Sequence, residues 1–95
     1  MTFWRNIIMP HELLIERNAE KDLKKLEISL FTKITTKIKE LADNPHPQGS
    51  RKITGSQNDW RLRSGDYRIL YEIVNKTKTI KIMRIKHRRE AYRDL

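Results

Sequence analysis

The chain contains no cysteine, so it can build neither a disulfide framework nor a cysteine-based zinc site, and nothing in it calls for an oxidising compartment. Its three histidines, His11, His46 and His87, are dispersed and lack the cysteine or carboxylate spacing of a metal centre. No metal and no cofactor is therefore expected. The glycine-rich phosphate loop, the dinucleotide fingerprint and the nucleophile elbow are also missing. No apolar run approaches the roughly 20 residues of a membrane-spanning helix. A basic amphipathic helix with an aromatic face is absent too, which speaks against binding at an anionic membrane surface.

Acidic residues are scarce as well: 12 Asp/Glu stand against 21 Lys/Arg, for a net charge of +9 over 95 residues. The imbalance is uneven. Residues 1–50 carry 8 Lys/Arg and 7 Asp/Glu, whereas residues 51–95 carry 13 and 5. A near-neutral first half and a strongly basic second half point to a fold with one side facing a polyanion: RNA or the ribosome, DNA, or an acidic protein. A solvated cationic surface is the plain alternative. The length suits one domain with a thin core, so a partner that covers apolar surface would add stability.

Residues 1–10 read as an N-terminal extension and residues 11–95 as the single domain. Within the extension, Met1 to Met9 are too short for a signal peptide and lack its small-residue cleavage site. Residues 1–8 are expected to be loosely attached, and whether they are native is left open.

His11–Arg17 is an apolar-centred run that fits a first strand. Asn18 is the expected helix cap, with Glu20 in the first turn. Leu23, Leu26, Leu30, Ile34, Ile38 and Leu41 then recur every three or four residues, an amphipathic helical stripe. A break is expected near Glu27–Ser29, with Ser29 as the second cap and Ile28 off the stripe. The helices end at the Pro/Gly-punctuated run Asn44-Pro45-His46-Pro47-Gln48-Gly49.

Beyond it the apolar period becomes two. Arg51–Thr54 and Asp59–Arg63 are short strand-like pieces, Ser64-Gly65-Asp66 is a turn, and Tyr67–Val74 is a strand. Asn75-Lys76-Thr77-Lys78 connects to Thr79–Ile85, where simple alternation puts Ile80 and Ile82 on one face and Met83 and Ile85 on the other. A short helix or turn follows. The expected class is α+β, in the order strand–helix–helix–three antiparallel strands–short C-terminal helix, with the helices on one face of the sheet. Trp60, Tyr67 and Tyr71 are expected in the core.

The strand arginines carry the chemistry. Alternation sets Arg61 and Arg63 opposite Trp60 and Leu62, and Arg68 opposite Tyr67 and Ile69. If the apolar sets meet the helices, Arg61, Arg63 and Arg68 cluster on the open face, and Arg88 could join them. Gathered like charges repel, so an anion is implied. Phosphate fits, because guanidinium matches its oxygens with a planar fork. The plain alternative is scattered cations paired with Asp66, Glu72 and Glu90.

Three segments together resemble RelE-type toxins of the RelE/ParE superfamily. They are Trp60-Arg61-Leu62-Arg63-Ser64-Gly65-Asp66-Tyr67-Arg68-Ile69-Leu70-Tyr71-Glu72-Ile73, the ending Arg84 to Arg93, and Leu41-Ala42-Asp43-Asn44-Pro45 with Lys52-Ile53-Thr54-Gly55. The resemblance spans about residues 11–95 and implies a RelE-like fold. It implies the toxin of a type II toxin–antitoxin system in a bacterial cytoplasm, a metal-independent endoribonuclease that cuts mRNA in the ribosomal A site. It places Arg61 and Arg63 beside the scissile phosphate, Arg68 as a phosphate stabiliser, Arg88 as stabiliser or proton donor, and Tyr92 on the substrate base. Arg51, Lys52, Lys86 and Arg89 are the expected further RNA contacts. The partners implied are a cognate antitoxin, mRNA and the ribosome, and operator DNA for the toxin–antitoxin complex.

One departure matters. Well-studied members of the family have lysines where this chain has Arg61 and Arg63. Arginine stays protonated and is a poor general base. Either the site activates the hydroxyl electrostatically or another group takes the proton, with His87 the leading candidate. Two other readings stay open: a ParE-like DNA gyrase inhibitor on the same fold, and a nucleic-acid binding module without catalysis.

Overall fold

The computed structural model describes residues 10–91. The expected extension lies outside this range except for Pro10, as does Tyr92. Strand β1 (Glu12–Ile15) is followed by helices α1 (Arg17–Lys24) and α2 (Ile28–Leu41). Then come β2 (Ser50–Lys52), β3 (Asp59–Ser64), β4 (Tyr67–Val74), β5 (Thr79–His87) and a last turn of helix, α3 (Arg88–Ala91). The α+β class and the order of elements are as expected, and the strand-like piece Arg51–Thr54 corresponds to the short edge strand β2.

The five strands form one sheet in the order β1-β5-β4-β3-β2. The last four strands pair antiparallel in sequence. β1 lies parallel to β5, Leu13 beside Ile80 and Ile15 beside Ile82. The two helices supply the crossover between the first strand and the rest, and they cover one face. Ala19 and Leu23 of α1 and Ile34, Ile38 and Leu41 of α2 are buried against Leu62, Ile69, Tyr71, Ile73, Ile80, Ile82 and Ile85. The apolar stripe therefore does the work its period implies, although Leu26 and Leu30 are only half-buried.

Helix starts differ from expectation. The residue before α1 is Glu16, not Asn18, and no side chain caps it. Glu16 N–H is already used, donating to Ile82 O at 2.9 Å. The last rung of the β1–β5 pairing thus hands the chain straight into the helix. The break between helices falls where expected, but α2 starts one residue before Ser29, which donates instead to the Glu27 carboxylate. Ile28 is exposed, in keeping with its place off the stripe.

The expected alternation along the last strand is corrected. A bulge shifts the β4–β5 register: Leu70 lies opposite Arg84, but Tyr71 lies opposite Ile82, which leaves Met83 extra. An inserted residue reverses the alternation. Ile85 accordingly shares the helix-covered face with Ile80 and Ile82, and all three are buried. Tyr71 is fully buried and its hydroxyl donates to Pro45 O at 2.7 Å, tying the loop after α2 to the sheet. Trp60 and Tyr67 are half-buried and pack on the core, as expected.

Candidate nucleic-acid interface

The face without helices is built from the alternate residues of the same strands. Register sets Arg51 of β2 beside Arg61 of β3, and Arg63 of β3 beside Arg68 of β4. Direct antiparallel partners sit about 5 Å apart at Cα, where like charges oppose pairing. Two arginine pairs side by side are costly for the sheet alone. Between them the four side chains and Gly49 line a pocket of about 380 Å³, with no carboxylate in its wall among the described residues.

Gly49, Arg63 and Arg68 are tied to the backbone around them. Gly49 has a φ of +93°, a left-handed conformation that suits glycine, and its carbonyl accepts from Arg63 N–H at 3.2 Å. Arg63 O accepts from Lys37 Nζ of α2 at 3.0 Å, which anchors the strand from the helix side. Arg68 is almost fully buried, 8% exposed. Its guanidinium donates to Gly65 O at 3.0 Å and Tyr67 O at 2.9 Å, so it is fixed against the β3–β4 turn. Gly65 takes a φ of +58° in that turn. Leu70, buried yet outside the core cluster, lies in register between Arg61 and Arg84 on this face. The alkyl stems of flanking arginines can cover such a leucine while their charged heads stay outside.

The other expected residues divide. Lys86 is the cross-strand partner of Arg68, which continues the row Arg63–Arg68–Lys86 over three strands. Lys52 lines a smaller pocket with Arg61 at the β2 edge. Arg88 is not in the arginine pocket. Its backbone N–H donates to Asp66 O at 2.7 Å and its guanidinium lies 4.0 Å from the Asp66 carboxylate, at the turn that Arg68 also grips. Arg89 is exposed on α3.

His87 does not line the arginine pocket. It pairs with Tyr67, and the two rings meet edge-on with centroids 5.5 Å apart. That side of the sheet faces the helices, so the bulge and the strand alternation keep the imidazole off the basic face. Among the described residues no group of three or more His, Asp or Glu could hold a metal ion. Nor is any helix among them long and apolar enough to cross a membrane.

Two groups at this site were not foreseen. Gly49 lines the pocket, and its only signal was its place at the end of a proline-rich loop. Asp22 of α1 accepts from Arg84 Nε at 2.8 Å and from Ile85 N–H at 2.9 Å. Burial raises its pKa, but the hydrogen bonds from Arg84 and Ile85 outweigh that and leave it below the usual 3.8.

Known proteins agree with this architecture. The sequence model of the family described as the ParE toxin of the type II toxin–antitoxin system parDE matches residues 13–92. A protein of Methanocaldococcus jannaschii named as a toxin, RelE1, is 30% identical over 89 residues, covering 90% of this chain and 99% of that protein. The archaeal RelE–RelB complex from Pyrococcus horikoshii holds a chain of the same fold, with a TM-score of 0.75 at 28% identity over 84% of this chain and 97% of that one. The RelBE2 toxin–antitoxin complex of Mycobacterium tuberculosis holds another, with a TM-score of 0.74 at 23% identity over 83% and 99% of the two chains. The chain belongs to the RelE/ParE superfamily of toxins from type II toxin–antitoxin systems.

Proposed function

We propose that the protein is a ribosome-dependent endoribonuclease that cuts mRNA in the A site, and that a cognate antitoxin holds it inactive. The observation that carries the reading is the pocket lined by Arg51, Arg61, Arg63 and Arg68. The antitoxin follows from the relatives crystallised as toxin–antitoxin complexes. An acidic segment laid over the basic face would neutralise it, and would cover the exposed Leu14, Ile15 and Ile28 where it crosses them.

The chemistry asks for no metal. The 2′-hydroxyl oxygen attacks the adjacent phosphorus and the bond to the 5′-oxygen breaks. The products are a 2′,3′-cyclic phosphate and a free 5′-hydroxyl; the proton lost by the 2′-hydroxyl passes to water or a ribosomal group, and the 5′-oxygen takes one from water. Arg61 and Arg63 stabilise the charge that develops on the phosphate, and Arg68, already locked in place, does so without reorganising. Arg88 donates a hydrogen bond to the leaving oxygen and Tyr92 orients the base. No pocket arginine is a proton acceptor. With His87 turned toward Tyr67, the hydroxyl is activated by the field of the four guanidinia, or by a group the ribosome contributes.

The ParE family match keeps one second reading in view, the DNA gyrase inhibitor. Primer extension on mRNA translated in vitro separates the two, using wild-type, Arg68→Ala and Arg88→Ala proteins with and without ribosomes. Cuts within A-site codons that need ribosomes and vanish in both variants are expected. Growth arrest on expression without any cut, together with trapped gyrase–DNA cleavage complexes, would establish the gyrase reading instead.

A further inference from the structure

Strand β5 outruns its outer neighbour. β1 pairs with it only from Thr79 to Ile82, while β5 continues to His87. An unpaired strand edge leaves backbone N–H groups without acceptors. Here a side chain supplies one. The carboxylate of Asp22, projecting from α1, accepts from Ile85 N–H at 2.9 Å and from Arg84 Nε and Nη2 at 2.8 and 3.2 Å. The Asp22 side chain is 13% exposed and that of Arg84 40%, so the carboxylate is shielded while the guanidinium stays partly in solvent.

Its position matters more than its strength. The contact falls directly after the bulge at Met83, where the phase of β5 is reset. That phase decides which of Ile85 and Lys86 faces the helices and which lies beside Arg68. A slip of one residue would exchange the two faces. Nothing else on the outer side of β5 holds this stretch by strand pairing among the described residues.

We propose that Asp22 is a positioning residue for the basic face: by gripping Arg84 and the Ile85 N–H it fixes β5 beyond the bulge and holds Lys86 beside Arg68, where Lys86 contacts an RNA phosphate. The inference rests on the RNA reading above and adds to it a residue on the opposite, helix-bearing side of the sheet.

The test is a double-mutant cycle read by salt dependence. A fluorescent single-stranded RNA oligonucleotide is titrated at several salt concentrations against wild type, Asp22→Ala, Lys86→Ala and the double variant. Amide exchange at Ile85 is followed in each. Losing one phosphate contact on a single strand lowers the slope of log affinity against log salt by about 0.7. Lys86→Ala is expected to show that loss. Asp22→Ala is expected to show the same loss with faster exchange at Ile85, and the double variant to lose no more than either single one. An Asp22→Ala slope equal to wild type, or losses that add in the double variant, would overturn the inference. Should Asp22→Ala not fold, Asp22→Asn keeps an acceptor for Ile85 and drops the charge. It is expected to show a smaller loss that again does not add, and additivity counts against the proposal in the same way. Ribosome-dependent cleavage is measured on the same proteins. Wild-type binding with this cycle but without cleavage defeats the nuclease reading alone, while cleavage with additive slopes defeats only the role of Asp22. A wild-type protein that does not bind RNA defeats both.

Discussion

The two faces of the sheet are cut from the same strands and obey opposite rules. On the helix side, Leu62, Ile69, Tyr71, Ile73, Ile80, Ile82 and Ile85 pack against α1 and α2 and are nearly inaccessible. On the other side, Arg51 opposes Arg61 and Arg63 opposes Arg68. The first arrangement lowers the free energy of the isolated chain through burial. In the second, like charges directly opposite one another work against strand pairing. A fold under pressure for stability alone would spread those cations out. Their concentration on one face is the geometry the proposed phosphate role would use.

The largest effect should come from the packed side. Ile82 is fully buried at the rung where β1, β5 and β4 meet. Ile82→Ala is expected to cost about 2–5 kcal/mol in urea denaturation, a large fraction of what so small a domain has. A cost under about 1 kcal/mol would mean that the helix layer is loosely packed and that the contrast between faces is weaker than drawn.

A smaller effect is expected where the two faces are linked through a loop. Tyr71→Phe removes the hydroxyl bonded to Pro45 O and is expected to cost about 1 kcal/mol. Burial pushes the Tyr71 phenol up to about 12, with Ser50 partly offsetting it. A group whose pKa is raised on folding contributes stability that is complete below its unfolded value near 10. That contribution is lost as pH rises from there toward about 12. Wild type should weaken over this alkaline interval, and Tyr71→Phe should weaken less.

Smaller still is the acid dependence of the α1–β5 contact. The Asp22 carboxyl is depressed on folding, so its contribution is complete above the unfolded value of 3.8 and is lost as pH falls through the lower folded one. Denaturation at pH 6 and at pH 3 should show a difference that shrinks in Asp22→Asn. An unchanged difference would assign acid sensitivity to other carboxylates.

Much of this was legible in the sequence, for reasons visible in particular residues. The stripe from Leu23 to Leu41 and the alternation Trp60-Arg61-Leu62-Arg63 each have one period and one buried side. The class, the order of elements and the convergence of Arg61, Arg63 and Arg68 followed from them. The bulge at Met83 was not legible, since Thr79–Ile85 reads as plain alternation until pairing with β4 places an extra residue in it. His87 was judged by its chemistry, but the reset phase of β5 turns its ring toward Tyr67. Asp22 could not be found at all, because 62 residues separate it from Arg84 and only the folded sheet brings them together.

The most direct measurement is made on one double variant, Arg61→Ala/Arg63→Ala, whose melting temperature and ribosome-dependent cleavage are read on the same preparation. If one face folds the chain and the other binds phosphate, melting stays within a few degrees of wild type or rises. Cleavage meanwhile falls by about 100-fold or more, the usual loss when a donor to the developing charge is removed. Retained cleavage, or a collapse of stability that accounts for the loss, would contradict the division of labour between the two faces.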